Sequence, residues 1–151
     1  MKTLLIVFHT GGVKTAQMAE AVERGARSES GVNVIVKRCA DAGPEDLLAA
    51  DGLILGTPEN FGYMSGMMKD FLERVFYACE GKVNGRPWAL FVGAGQDGSG
   101  AVSSVERIIL GLRLKKALEP VVVVKELQAI HLTQCEEMGA ALAAGLAMGV
   151  F

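Results

Sequence analysis

Five short apolar runs, each followed by a segment with helical spacing, constrain the fold of this chain more than any other feature. The runs span residues 3–8, 32–37, 52–56, 87–92 and 121–124. The helical segments span residues 14–27, 41–50, 65–79, 100–114 and 133–148. Strands that alternate with helices predict an α/β fold, a doubly wound parallel sheet with helices on both faces.

Details of these segments predict where some of them lie. The second strand carries outward Asn33 and Lys37, which indicates the edge of the sheet. Thr133 and Glu136 have the spacing of a capping box, so the last helix is predicted to begin at Thr133. That helix also carries Ala or Gly at positions 139, 140, 143, 144 and 147, which allow close packing on the sheet or against another subunit.

The composition limits the classes of protein to which this chain can belong. With 151 residues, half of them hydrophobic, residues 1–151 are expected to form one domain with a full core. The net charge is −2 and no basic residues cluster, which argues against a nucleic-acid partner. Cys39, Cys79 and Cys135 have no metal-binding spacing and are interpreted as reduced thiols of a cytoplasmic protein. No apolar run has the length of a membrane span or a secretory signal, so no membrane insertion is expected.

In a doubly wound sheet, ligands bind outside the carboxyl ends of the strands, at the switch point. The loops after the first, third and fourth strands should meet there. The first loop, Thr10-Gly11-Gly12-Val13-Lys14-Thr15, places hydroxyls and backbone N–H groups at a helix N-terminus, which is typical of a phosphate site. A flexible glycine turn with a threonine cap is the alternative.

The second loop, residues 56–66, is long and carries Phe61, Tyr63 and Met64 at its centre. A loop that covers a flat aromatic ligand would have this composition. Alternatively, Phe61 and Tyr63 cap the core or meet a partner subunit.

The third loop reads G-x-G-x-x-G through Gly93, Gly95 and Gly98. A dinucleotide fingerprint would follow the first strand, with an acidic residue about 20 residues further on. Here the motif follows the fourth strand, so a third ligand loop is preferred over a Rossmann NAD site, which stays as the alternative.

These loops carry a resemblance to known proteins. The arrangement of a strand, a Thr-x-x-x-x-Thr segment from Thr10 to Thr15 and a helix resembles the FMN phosphate loop of flavodoxin-like proteins, although Gly12 and Val13 depart from its inner Thr-Gly. Gly-Thr-Pro, then Phe-Gly, then Met over residues 56–64 resembles the flavin loop of NAD(P)H-dependent FMN reductases, and most of all tryptophan repressor-binding protein-type quinone oxidoreductases.

The resemblance implies a flavodoxin-like sheet of order 2-1-3-4-5 and an FMN site in which the second loop lines the ring and the third meets its pyrimidine side. The implied cofactor-binding residues are His9, Thr10, Gly11, Gly12, Val13, Lys14, Thr15, Thr57, Pro58, Glu59, Asn60, Phe61, Gly62, Tyr63, Gly93, Ala94, Gly95, Gln96, Asp97 and Gly98. No catalytic side chain and no metal are implied, and His9 is as consistent with a structural role.

The function implied is an oxidoreductase that passes electrons from NAD(P)H through FMN to a small-molecule acceptor, a quinone or free flavin, in a homo-oligomer (dimer or tetramer). The third loop has no Tyr or Trp, which indicates an open flavin face. A flavodoxin-type electron carrier and a flavin-binding regulatory module are the alternatives; the small net charge argues against a carrier. No Cys-x₅-Arg loop or acidic pair follows the first strand, which argues against a small phosphatase or a receiver domain.

Overall fold

A computed structural model describes all 151 residues as a central sheet with helices on both faces. The strands are β1 (Lys2–Phe8), β2 (Val32–Arg38), β3 (Gly52–Asn60), β4 (Tyr63–Met64), β5 (Pro87–Ala94), β6 (Lys115–Lys116) and β7 (Val121–Val124). The helices are α1 (Val13–Arg27), α2 (Pro44–Ala49), α3 (Gly66–Cys79), α4 (Ser99–Leu112) and α5 (Ala129–Met148).

The sheet is parallel in the order β2, β1, β3, β5, and β6 and β7 both pair with β5 at the far edge. This is the predicted order 2-1-3-4-5, since β5 takes the fourth position in the sheet and the short strands β6 and β7 share the fifth. Strand β2 lies at the opposite edge, as predicted from its polar positions. The fold is therefore a flavodoxin-like α/β fold, and the prediction of the fold class is confirmed.

Helices cover both faces of the sheet, so both faces are buried. Successive side chains of each strand point to opposite faces. On β1, Leu5 and Val7 face the layer of α2, α3 and α4, whereas Leu4 and Ile6 face the layer of α1 and α5. Two cores result, one on each side, and together they hold the carboxyl ends of β1, β3 and β5 in place.

The small residues of α5 pack against α1. A Cβ atom on Gly139 would lie 2.0 Å from the carbonyl oxygen of Val22, and one on Gly25 would lie 1.9 Å from that of Glu136. The two helix backbones therefore touch at these positions. At Gly139 the close packing predicted for this helix is therefore against α1, which is neither of the two alternatives.

Two predicted boundaries are wrong. Strand β3 continues past Gly56 to Asn60, and β4 pairs with it antiparallel, so most of the predicted second loop is a β-hairpin. Pairing of Thr57 and Pro58 with β5 extends the strand beyond the apolar run. Helix α5 begins at Ala129, and the Thr133 hydroxyl donates to the Ala129 carbonyl inside it. A Ser or Thr in this spacing can cap a helix or bond back within it, and here the second option holds.

Candidate functional site

The three predicted loops meet at one end of the sheet. The His9 N–H donates to the Gly56 carbonyl at 3.0 Å, which joins the ends of β1 and β3. Pro58 is in register with Gly93, which joins the ends of β3 and β5. Thr15 packs on Gly93 so closely that a Cβ there would lie 2.7 Å from the Thr15 hydroxyl oxygen. All three segments of predicted binding residues therefore lie side by side.

The first loop forms an open cradle of backbone atoms. No atom lies within 4 Å of the positions that Cβ atoms would take on Gly11 and Gly12. No side chain caps α1, so the N–H groups of its first turn are available. The Val13 side chain, which departs from the family pattern, is 72% exposed and leaves the space over the glycines open. An anion fits such a helix terminus, since the N–H groups and the helix dipole both favour it.

At the end of this loop, the side chains of Lys14 and Thr15 point away from the open space over the glycines. The Lys14 ammonium donates to the carbonyl oxygens of Ala94, at 2.6 Å, and of Lys125, at 2.5 Å. Burial lowers the pKa of Lys14 from its ordinary value. Thr15 is buried beneath the loop. In this arrangement Lys14 links the first loop to the ends of β5 and β7, and Thr10 is the hydroxyl that remains on the cradle, where it bonds to Gly12.

Thr57 holds the base of the hairpin. It is fully buried, its hydroxyl accepts from the Ser65 N–H at 3.0 Å, and it donates to the Pro58 carbonyl at 2.8 Å. Ser65 in turn caps α3 by accepting from the Met68 N–H. Thr57 therefore positions the hairpin from within and presents no hydroxyl to a ligand.

The hairpin is docked on the start of α4. The two carboxylate oxygens of Glu59 accept from the N–H groups of Gly98, at 3.2 Å, and Ala101, at 3.3 Å. The Ser104 hydroxyl accepts from the Met64 N–H at 3.1 Å. A Cβ on Gly100 would lie 1.8 Å from the Gly62 carbonyl oxygen, so the hairpin turn rests directly on the helix.

Sequence reasoning missed Ser65, Gly100 and Ser104 as residues that shape the site. Gly100 carried a usable signal, since a glycine in the first turn of a helix has poor helix propensity and indicates a close contact. Nothing in the sequence marked the two serines as partners of the hairpin.

The tip of the hairpin presents an aromatic ring to solvent. Phe61 and Gly62 both have positive φ, 55° and 67°, as in the type I′ turns that close two-residue hairpins. Asn-Gly is the usual pair there, and a bulky residue at positive φ is strained. Phe61 is nonetheless fully exposed, and Tyr63 is 43% exposed. The alternative that Phe61 caps the core is therefore wrong.

The third loop exposes its middle. Gly95, Gln96 and Asp97 are exposed, and the N–H groups of Gly95 and Gln96 donate no hydrogen bond within the chain. The Asp97 carboxylate accepts from the N–H and hydroxyl of Ser99, and these hydrogen bonds lower the pKa of Asp97. Because Glu59 already occupies donors at the N-terminus of α4, a dinucleotide pyrophosphate would meet a carboxylate there. The arrangement disfavours a Rossmann-type site.

His9 lies half-buried at the end of β1. Burial, and then the nearby positive charge of Arg38, lower the pKa of His9 below its ordinary value. The imidazole is therefore neutral near pH 7. It can donate or accept a hydrogen bond beside the cradle, but it supplies no charge there.

The profile of the NADPH-dependent FMN reductase family matches residues 42–128 of the chain. That range includes the hairpin and the third loop and begins after the first loop. More than half of the chain therefore matches the family, which extends the resemblance beyond the short motifs.

Two curated relatives are similar over part of their length. A flavodoxin from Aquifex aeolicus is 38% identical over 100 residues, which cover 66% of this chain and 54% of that protein. An NAD(P)H dehydrogenase (quinone) from Acidithiobacillus ferrooxidans is 35% identical over 113 residues, which cover 61% of this chain and 56% of that protein. The chain spans about half the length of these relatives.

A solved structure shows the likeness of the fold. The flavodoxin, WrbA-like protein from Agrobacterium tumefaciens superposes with a TM-score of 0.78, at 21% identity, over 99% of both chains. None of the helices combines the length and the hydrophobicity that a membrane span requires.

Proposed function

The chain belongs to the NADPH-dependent FMN reductase family, and from that premise we propose that residues 1–151 form one FMN-binding domain that passes electrons from NAD(P)H to a quinone or free flavin. The observation that carries the proposal is the meeting of three loops whose exposed parts include free backbone N–H groups and the aromatic ring of Phe61. FMN offers a phosphate and a flat ring with polar edges, and the three loops match these parts in order.

The open cradle suits the phosphate of FMN. The uncapped first turn of α1 and the open space over Gly11 and Gly12 accept an anion, and Thr10 adds a hydroxyl. His9 and Lys14 contribute differently, since His9 is neutral and Lys14 joins the loops from the side. The site therefore binds the phosphate mainly through backbone donors.

The ring of FMN would lie between the hairpin and the third loop. Pro58, Asn60 and Phe61 border it on one side, and Gly95 and Gln96 on the other. The side chains of Thr57 and Glu59 would not contact the ring directly, because they hold the hairpin in place. When bound, FMN supplies the hydride and electron chemistry, and the protein supplies orientation and polarity. The free N–H groups of Gly95 and Gln96 are placed to stabilise negative charge at the ring edge.

A flavin spectrum and anaerobic mixing with donors test this proposal. The purified protein is loaded with excess FMN, desalted, and mixed with NADPH or NADH without oxygen. We expect a retained flavin that bleaches within seconds, followed by reoxidation when a quinone is added. Failure to take up FMN would contradict the cofactor, and a flavin that neither donor bleaches would contradict the reductase.

An electron carrier is the second candidate, and the Aquifex aeolicus relative, which is named a flavodoxin, favours it equally. A carrier would bleach only when a separate reductase is added. A regulatory module would bind FMN and show neither behaviour. The same anaerobic experiment therefore separates all three.

We also propose that the protein acts as a dimer or tetramer. The support is the exposed ring of Phe61 at the edge of the flavin site, a position where a second subunit could cover it. Analytical ultracentrifugation of the FMN-loaded protein tests this, and a monomer at micromolar concentration would contradict it.

A further inference from the structure

A groove runs along α3 and α4, beginning at the hairpin and leading away from the three loops. Its near part, of about 510 Å³, is lined by Gly62, Tyr63, Lys69, Ser103 and Arg107. Its far part, of about 560 Å³, is lined by Leu72, Glu73, Phe76, Tyr77, Arg107, Ile108 and Gly111. Because Arg107 and Ile108 line both parts, they form one surface, which we call the α3–α4 groove.

The groove is elongated along α4. From Gly100 beside the hairpin to Gly111 at the far part, α4 rises about 16 Å at about 1.5 Å per residue. The near end adjoins Gly62 and Tyr63, so a ligand in the groove would reach the place where the flavin ring is proposed to lie.

The middle of the groove carries one free cation. The Arg107 side chain is exposed and makes no ion pair and no hydrogen bond within the chain. Lys69 is also present, but its ammonium lies 2.5 Å from the Glu73 carboxylate, which offsets its charge. The guanidinium fork of Arg107 is suited to phosphate oxygens, which it can bind through two N–H groups.

The far part offers a flat apolar slot. Phe76 and Tyr77 meet edge to face, with ring centroids 5.2 Å apart and an interplanar angle of 80°. Tyr77 is 83% exposed, although it belongs to a helix whose apolar face is buried. Gly111 opposes them without a side chain, and a Cβ there would lie 2.8 Å from the Phe76 ring. A purine ring could stack on Tyr77 in this slot.

We propose that the α3–α4 groove binds the ADP half of the reduced nicotinamide dinucleotide, with the pyrophosphate on Arg107 and the adenine on Tyr77. This inference rests on the proposed function, because hydride transfer requires the nicotinamide to lie beside the flavin ring, which is proposed to lie at the hairpin. The free Arg107 guanidinium in the middle of the groove and the aromatic rings of its far part match the pyrophosphate and the adenine of such a ligand. The Glu73 carboxylate, which also lines the far part, is paired with Lys69.

The test compares two hydride donors that differ only in the half that the groove would bind. FMN-loaded protein is reduced anaerobically by NADPH or by reduced nicotinamide riboside, which lacks both phosphates of the pyrophosphate, and the apparent Kd of each donor is taken from the bleaching rate. Arg107→Gln and Tyr77→Ala should each raise the apparent Kd of NADPH about five- to tenfold, because one exposed charge-assisted contact or one stacking contact is lost. The apparent Kd of the riboside should not change. Both side chains are exposed, so the variants should fold.

Arg113→Gln is the matched control, since Arg113 follows the same helix, lies outside both parts of the groove and also makes no ion pair. It should behave as the wild type with both donors. A wild-type Kd for NADPH in Arg107→Gln and Tyr77→Ala, or an equal rise for both donors, would overturn the proposal.

A calorimetric titration with ADP-ribose separates this inference from the proposed function, because ADP-ribose carries the ADP half of the dinucleotide but cannot donate a hydride. Binding that weakens in both variants supports the groove even if neither donor reduces the flavin. Reduction of the flavin with no effect of either substitution supports the reductase and rejects the groove. Absence of ADP-ribose binding at millimolar concentration also rejects the groove.

Discussion

At the scale of the residue, Phe61 is where the chain departs furthest from local preference. A fully exposed phenylalanine at a φ of 55° gains no burial and carries backbone strain of about 1 kcal/mol or more. Backbone strain of this kind clusters at sites that contact a ligand or a partner. The free-energy cost of the backbone strain and the contribution of Phe61 to ligand binding can be measured separately.

Phe61→Asn should stabilise the flavin-free protein by about 1 kcal/mol, since asparagine tolerates positive φ. The same change should weaken FMN binding about fivefold, because an aromatic contact with the ring is lost. Urea unfolding of the apoprotein and fluorescence titration with FMN measure the two effects. Unchanged stability together with unchanged FMN affinity would argue against both the strain and the contact.

His9 makes the stability depend on pH. Its folded-state pKa lies below the ordinary value near 6.5, so the unfolded chain binds a proton first as the pH falls. The stability contributed by His9 is therefore present above about pH 6.5 and decreases as the pH falls towards the folded-state pKa. Unfolding experiments at pH 7.5 and 5 should show less loss of stability in His9→Asn than in the wild type. An NMR titration in which His9 titrates at or above pH 6.5 would contradict this expectation.

At the scale of the element, the β3–β4 hairpin and its seat on α4 define the shape of the site. Four contacts fix it: Thr57 with Ser65, Glu59 with the N-terminus of α4, Met64 with Ser104, and Gly62 on Gly100. Most of them are hydrogen bonds between a side chain and backbone, so they specify position more than they add stability.

Gly100→Ala should lower the free energy of unfolding by about 2 kcal/mol and weaken FMN binding, because its Cβ would displace the hairpin turn. Gly66→Ala is the matched control, since no atom lies within 4 Å of a Cβ at that first position of α3. Thermal unfolding and FMN titration compare the two. Equal behaviour of both variants would mean that the hairpin does not depend on its contact with α4.

The elements themselves were predictable because their patterns are local. Apolar runs and helical spacing located the five sheet positions and all five helices, and polar Asn33 and Lys37 located the edge strand. The extension of β3 to Asn60 was not predictable in this way, since Pro58 and Glu59 are poor strand residues that pair only because β5 and β4 lie beside them. The roles of Lys14 and Glu59 were missed for the same reason, as their partners are distant in sequence.

At the scale of the whole molecule, the two cores enclose all three cysteines. Burial raises the pKa of Cys39 to about 12 and of Cys135 to about 11, and it raises the pKa of Cys79 in the same direction. Each thiol belongs to a core cluster beside the sheet. The thiolate that reacts with disulfides is therefore scarce in the folded protein.

The three thiols should report on unfolding of the entire chain. With an aromatic disulfide reagent at pH 8, we expect no fast reaction in the folded protein and three thiols per chain after denaturation. The reaction rate in the folded protein should rise with urea in step with the unfolding equilibrium. A thiol that reacts in native buffer at the denatured rate would show that its core is locally open.

The contacts of Lys14 and Glu59 have a consequence for cofactor exchange. Lys14 ties the first loop to the third, and Glu59 ties the hairpin to the third, so the three loops are braced before any ligand arrives. Little chain ordering then accompanies binding, and the heat capacity change should reflect only the ring area removed from water. Release should follow a single exponential with no gating step, and the bound and free proteins should share their amide exchange pattern outside the three loops.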